Sequence, residues 1–157
     1  MDHSLLSELA NCIIAAWALA VLAVLDFNPV VNEKLKQRGV RVIYGDISQR
    51  DTLQHAGVGR AEVIVCTLPD TILKGTSNLM LVRQVRELNP GARLIATSDS
   101  LGKVNDLYAA GADYVNVPRL AAAAELRSVL AGVLGGTLPA MRAAQDARLA
   151  RRNEVLP

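Results

Sequence analysis

Val21-Leu22-Ala23-Val24-Leu25-Asp26-Phe27 is an apolar run closed by an acid and broken at Asn28-Pro29. Unrelieved apolar character over so short a length marks a strand buried on both faces, as in a parallel sheet. Proline disfavours a helical residue before it but can open a helix. The strand is therefore expected to end at Asp26, with a helix over 29–38 that turns Val30, Val31 and Leu35 inward and stops at Gly39. Val40–Tyr44 is the next expected strand, closed by Gly45-Asp46, and a helix capped by Ser48 runs to about Ala56. Glu62–Thr67 is a third strand, after which Thr76 or Ser77 caps a helix carrying Leu79, Val82 and Val85 on one face. Arg93–Thr97, a helix over 101–110, and Tyr114–Val117 bring the strands to five. An Ala-rich helix over 120–131 and an Arg-bearing one over 139–152 complete the chain. Strands alternating with helices predict an α/β fold, a Rossmann-like doubly wound and mainly parallel sheet.

Upstream of Val21 the pattern changes. Residues 4–18 are expected as a helix, with Leu5, Leu9, Cys12 or Ile13, and Ala16 along one stripe. No glycine occurs before Gly39, whereas a phosphate-binding GxGxxG loop would lie roughly 20 residues before an acid such as Asp26. The chain is thus expected to lack the first strand and its phosphate loop. In the order 3-2-1-4-5-6 that strand is central, and without it two buried edges would carry unpaired N–H and C=O groups. A strand from a second copy, a rearranged N-terminal segment, or direct pairing of the neighbours would close the gap. Dimerisation covering Ile13–Leu25 is the expected solution. Residues 1–136 are expected to form the incomplete Rossmann-like domain and 137–157 a C-terminal Arg-bearing helix.

Composition narrows the function. The chain has 157 residues, 51% hydrophobic and 20% charged, enough for one domain with a proper core. Aromatics are only 3%, so platforms on which bases could stack are nearly absent, and the net charge of +2 is too small for a phosphate-neutralising surface. Nucleic acid is not an expected partner. Cys12 and Cys66 stand far apart in apolar runs, and His3 and His55 lack metal-ligand spacing, so neither a disulfide framework nor a metal site is expected. Met1-Asp2-His3 carries no basic start, and the uncharged run Ile13–Leu25 is 13 residues, short of the roughly 20 that cross a bilayer. From Arg127 onward five arginines face two acids, which a solvated helix face explains.

In a doubly wound sheet, ligands bind beyond the carboxyl ends of the strands. Those ends carry Asp26, Gly45-Asp46, Thr67-Leu68-Pro69-Asp70 and Thr97-Ser98-Asp99. A carboxylate at the second Rossmann strand can accept both ribose hydroxyls of an adenine nucleotide. Gly45 would let the backbone approach the adenine while Asp46 fixes its edge or the ribose. Each acid alone is equally well a polar residue preceding a helix; two at successive strand tips favour a nucleotide site.

At these residues the chain resembles the regulator-of-potassium-conductance (RCK, or TrkA-N) domain, in the form carried behind the membrane part of Kef-type cation:proton antiporters. The resemblance covers about 20–125. It rests on Val24-Leu25-Asp26-Phe27-Asn28-Pro29, Val42-Ile43-Tyr44-Gly45-Asp46-Ile47-Ser48, Leu68-Pro69-Asp70 with Asn78, Leu88-Asn89-Pro90-Gly91-Ala92, and Ala110-Gly111-Ala112-Asp113-Tyr114-Val115. It implies a cytosolic module that binds NAD(H) or ATP/ADP/AMP, pairs into a homodimer, and gates a membrane cation transporter or channel subunit at the inner face of the cell membrane. By the same resemblance Asp26 matches the ribose carboxylate and Phe27-Asn28 the adjoining loop. Gly45-Asp46-Ile47 matches the adenine-side turn, and Thr67-Leu68-Pro69 the floor under the nucleotide. The family's glycine loop and its smaller second subdomain have no counterpart in the sequence.

Other functions fit less well. A short-chain dehydrogenase needs Tyr-x-x-x-Lys, but Tyr44, Tyr108 and Tyr114 are followed four residues on by Ser48, Ala112 and Pro118. No Gly-x-Ser-x-Gly elbow occurs, so an enzyme is not expected. A phosphoacceptor receiver would need Lys before Pro118, where Val117 stands, and an acid directly after the third strand. The remaining alternative is a degenerate RCK-like dimerisation module that no longer binds nucleotide.

Overall fold

The computed structural model describes residues 13–16 and 22–150. The strands are β1 Ile13–Ala16, β2 Leu22–Asp26, β3 Arg41–Tyr44, β4 Val63–Cys66, β5 Arg93–Thr97 and β6 Tyr114–Asn116. The helices are α1 Pro29–Gln37, α2 Arg50–His55, α3 Asn78–Leu88, α4 Val104–Ala109, α5 Pro118–Leu134 and α6 Leu138–Leu149. All six strands join one sheet in the order β3-β2-β1-β4-β5-β6. The β2·β3, β4·β5 and β5·β6 pairs are parallel. The expected doubly wound, mainly parallel sheet is present, with six strands in place of five.

The extra strand corrects the N-terminal expectation. Ile13–Ala16 is a strand and not part of a helix; the rest of 4–18, Cys12 included, lies outside the described residues. β1 sits in the central place and runs antiparallel to both neighbours, β2 and β4. Ile13 pairs with Leu25 on one side and Cys66 on the other, and Ala16 with Leu22 and Val63. A rearranged N-terminal segment of the same chain therefore closes the gap, not the expected dimerisation over Ile13–Leu25: β1 already pairs with both edges that a second copy would have covered. Five residues separate Ala16 from Leu22. So short a connection suits an antiparallel pair, whereas a parallel crossover needs a dozen or more.

The sheet's two faces bury unequal cores. On one, Leu25, Ile64, Cys66, Leu94 and Ala96 pack under Leu53 of α2, Leu81, Val82 and Val85 of α3, and Leu107 of α4. On the other, Val24 meets Val31 and Leu35 of α1, with Val42 and Val65 partly buried beside them. Alternation along β2 and β4 sends neighbouring side chains to opposite faces, which is why both strands are apolar throughout.

Two of the motifs that carry the family resemblance prove to be structural. Asn89 Nδ2 donates to Val58 O and Ala61 O at 2.8 Å each, fastening the end of α3 to the turn before β4. Arg86 donates to Gly111 O, Pro90 O, Ala92 O and the Asp113 carboxylate. The Leu94 amide bonded to Asp113, seconded by Arg86, holds that carboxyl below its ordinary range. Other boundaries shift locally. Gln49, not Ser48, is the residue before α2, and the expected helix over 101–110 opens as a 3-10 turn, Leu101–Lys103, before α4.

A strand bonded on both sides gives every interior N–H to one neighbour or the other, so proline inside β1 leaves a buried carbonyl unpaired. We expect Ala15→Pro to cost about 1–3 kcal/mol for the lost partner, read as a lowered urea midpoint. An unchanged midpoint would refute the central position of β1.

Candidate functional site

The carboxyl ends of β2 and β3 lie side by side, Asp26 opposite Tyr44, and the Gly45 amide donates to Asp26 O at 3.3 Å. Asp26 itself is buried, and its Oδ1 accepts the Asn28 amide at 2.5 Å. Asn28 caps α1, its Oδ1 accepting from Val30 N at 2.9 Å. Asn32, one turn into α1, donates to the backbone oxygens of Asp26 and Asn28. These bonds lock the strand-to-helix corner and leave Phe27 between them half exposed, at 51%.

Asp46 is arranged differently. It is exposed, and its Oδ1 accepts the Ser48 amide at 2.8 Å. That amide first, then the Ser48 hydroxyl and Gln49, hold its carboxyl below the usual range against a small burial effect, so it is ionised at neutral pH. Beside it, the space a side chain on Gly45 would need is taken by the Thr52 methyl, which a Cβ would approach to 2.6 Å. Glycine there lets α2 pack close to the strand tip.

The third wall is the segment between β4 and α3. Eleven residues separate Cys66 from Asn78, long for a βα connection, and such length accompanies binding loops. Both ends are fastened. Leu68 is buried in the core, and Leu68 O accepts Asn78 Nδ2 at 2.8 Å. Asp70 Oδ1 accepts the Asn78 amide at 2.8 Å, and its Oδ2 accepts Lys103 Nζ at 2.9 Å. Burial opposes the charge on Asp70, but the Asn78 amide and Lys103 outweigh it and keep the carboxyl below its ordinary range. Ser77 caps α3 through Met80 N. The middle of the loop is exposed at Thr71, Ile72, Lys74 and Gly75.

Between these walls opens a cleft of about 550 Å³, lined by Phe27, Asp46, Ile47, Thr71, Ile72, Leu73, Lys74 and Thr76. It is bounded by the tips of β2 and β3 on one side and by the β4–α3 loop on the other. The central strand β1 lies between β2 and β4 in the sheet order. This is the switch point of a doubly wound sheet, where ligands bind beyond the carboxyl ends. Of the residues expected at a site, Phe27, Asp46 and Ile47 meet in the cleft. Asp26, Asn28 and Gly45 build the corner behind it, and Thr67, Leu68 and Pro69 begin the loop that walls it. The sequence reading missed Thr71–Thr76; the length of this connection was the available signal. Cys66, at the end of β4, is wholly buried, and burial pushes its thiol up to about 12, so it is no nucleophile at neutral pH.

Comparison with known proteins now has a geometry to meet. The family profile described as the TrkA-N domain matches residues 8–118, most of the chain. The chain belongs to the TrkA-N family. Its curated relatives include the glutathione-regulated potassium-efflux system protein KefC of Escherichia coli O139:H28 and of Shigella boydii serotype 18. Each is 33% identical over 92 residues, which is 59% of this chain and 14% of the relative. The TrkA-N chain thus spans about a seventh of the length of those relatives. Among solved structures, the TrkA-N domain of the inner membrane protein YbaL from Escherichia coli superposes with a TM-score of 0.62 at 22% identity. It covers 69% of this chain and 77% of that one, and supports the fold. The GsuK channel bound to NAD superposes with a TM-score of 0.55 at 29% identity, over 73% of this chain and 19% of that one. No helix among the described residues is long and apolar enough to cross a membrane.

The Asp70 clamp has a pH signature. A carboxyl whose folded pKa lies below its unfolded value of about 3.9 contributes stability above that value and loses it as pH falls through the folded pKa. Asp70→Asn is expected to be less stable than the parent by a constant margin above about pH 5, with the margin closing below about pH 4. Urea unfolding at pH 7, 5 and 3 measures it; a margin undiminished at pH 3 relative to pH 7 would contradict the clamp.

Proposed function

We propose that this TrkA-N chain is a cytosolic regulatory domain that binds NAD(H) or an adenine nucleotide (ATP, ADP or AMP). In this reading it controls a potassium or other cation transporter or channel at the inner face of the cell membrane. The observation that carries the reading is the cleft at the switch point, with the ionised Asp46 on its wall. Its volume of about 550 Å³ falls in the range of small-molecule sites, and its lining is mostly apolar with few polar groups, as such sites are.

Within the cleft, Phe27, Ile47 and Ile72 supply apolar surface for a base, and Asp46 accepts from ribose hydroxyls or the base's amino edge. Asp26 acts one step behind, holding the corner from which Phe27 projects. Gly45 seats the Asp46 turn, and Thr67-Leu68-Pro69 forms the floor and root of the facing loop. The bound GsuK structure supports NAD as the ligand class, and the names of KefC and of the GsuK channel support a cation-transport partner. Regulation, not catalysis, is the role this lining suits.

Self-association belongs to the same reading and takes its surface from the C-terminal helices. Leu126, Leu130 and Leu134 recur every four residues along α5 and are 64%, 64% and 92% exposed. A stripe of leucines left in water marks an interaction face. In this assignment residues 1–136 form the ligand-binding unit and 137–157 the helix that completes that face.

Calorimetric titration with NADH, NAD, ATP and AMP tests the site. At least one should bind, and Asp46→Ala should weaken it roughly tenfold or more, the loss of a hydrogen bond to a charged group. Absence of heat with all four overturns the nucleotide reading and leaves the dimerisation module. Sedimentation tests the helical face: the parent should be a dimer, and a Leu126→Glu/Leu130→Glu chain should run as a folded monomer. A monomeric parent would remove self-association from the proposal.

A further inference from the structure

We infer that the segment Lys74-Gly75-Thr76 is the phosphate-binding pole of the cleft, taking over the role that a turn after the central strand plays in a glycine-loop fold. This rests on the nucleotide reading above and adds to it a site on a different element.

The argument begins with the direction of β1. Where the central strand is parallel to its neighbours, the turn that leaves it lies over the crevice and its helix meets the phosphates. Here the strand is reversed. Ala16, its last residue, pairs with Leu22 and Val63, the first residues of β2 and β4. The chain therefore leaves β1 at the far end of the sheet, about 16 Å from the cleft for a five-residue strand. A phosphate lying in the cleft has to find its partners elsewhere.

Among the described lining residues Lys74 is the one cation, and no carboxylate pairs with it. Asp46 is the one acid in the same lining, so the cleft carries an acceptor for hydroxyls and a cation for an anion, on opposite walls. Gly75, between the lining residues Lys74 and Thr76, is exposed and has φ +74°, with nothing within 4 Å of where its Cβ would be. Thr76 lines the cleft too, and its Oγ1 is a shielded hydroxyl without a hydrogen-bond partner. A turn about χ1 offers its O–H to a phosphate oxygen and breaks no hydrogen bond. Asp70, on the same loop, is already paired with Lys103. A cation, an exposed positive-φ glycine between two lining residues, and an unbonded hydroxyl are together the elements of an anion cradle.

The test compares adenosine with AMP, which differ only by the phosphate, on the parent chain, Lys74→Met and Thr76→Val. AMP should bind the parent at least tenfold more tightly than adenosine, with an affinity that falls as salt rises. Lys74→Met should erase both the preference and the salt dependence while leaving adenosine affinity unchanged. Thr76→Val should weaken AMP severalfold without lowering the unfolding midpoint, because the hydroxyl it removes is unbonded in the free protein. An AMP preference that survives Lys74→Met overturns the phosphate pole and leaves the nucleotide reading standing. If neither adenosine nor any nucleotide binds the parent, both fall together.

Discussion

A sheet cannot keep a strand-wide vacancy at its centre. The edges of β2 and β4 that face each other are buried, and each of their inward N–H and C=O groups would be left without water or a partner. Four residues, Ile13–Ala16, remove that difficulty by pairing with both edges at once. Everything else in the structure follows from that ladder being complete. The core on each face is continuous across β1 only because β2 and β4 are held one strand apart. Without it the two halves of the sheet, β3-β2 and β4-β5-β6, would share no hydrogen bonds.

Pairing of this kind fixes direction as well as position, and direction is what shapes the site. An antiparallel central strand can be joined to β2 by five residues, so no crossover helix is needed between them. Among the described residues, the usual entrance to a helix above the crevice is then not at that place. The cleft is bounded by parts that the reversal leaves untouched: the corner after β2, the turn after β3 and the loop after β4. The same reversal brings the amino end of β1 to the carboxyl ends of its neighbours, since Ile13 pairs with Leu25 and Cys66.

The strands and helices from Leu22 to Asn116 were legible because each carries a local signal that agrees with its tertiary place. Val24 and Leu25 are apolar on both faces of β2, and Asn28-Pro29 fixes where it stops. β1 carried no such signal. Ile13-Ile14-Ala15-Ala16 is too short to show a period, and its alanines and spacing are compatible with a helix. The pairing demand of β2 and β4 decides the matter, and the partners of Ala16, Leu22 and Val63, are 6 and 47 residues away. The site was half legible for a similar reason. Asp46 and Phe27 were marked by standing at strand tips, but a tip does not say whether a carboxylate faces outward. Asp26 turns into the Asn28 amide, while Asp46 turns along its own loop and stays in the cleft.

The facing loop shows how rigidity and access are divided. Its first residues are fixed by Leu68 in the core, and its last by Ser77 and Asn78 at the start of α3. Asp70 ties the two ends together and adds Lys103, from the turn that opens α4. Between these anchors the chain is exposed and rises past Gly75 in a conformation that an L side chain resists. Asp70 links the loop to two elements at once, because that carboxylate is bonded to both the α3 amide and the Lys103 ammonium. A loop fastened at both ends in this way holds one wall of the cleft in place from the β4 side, independently of the direction in which β1 runs.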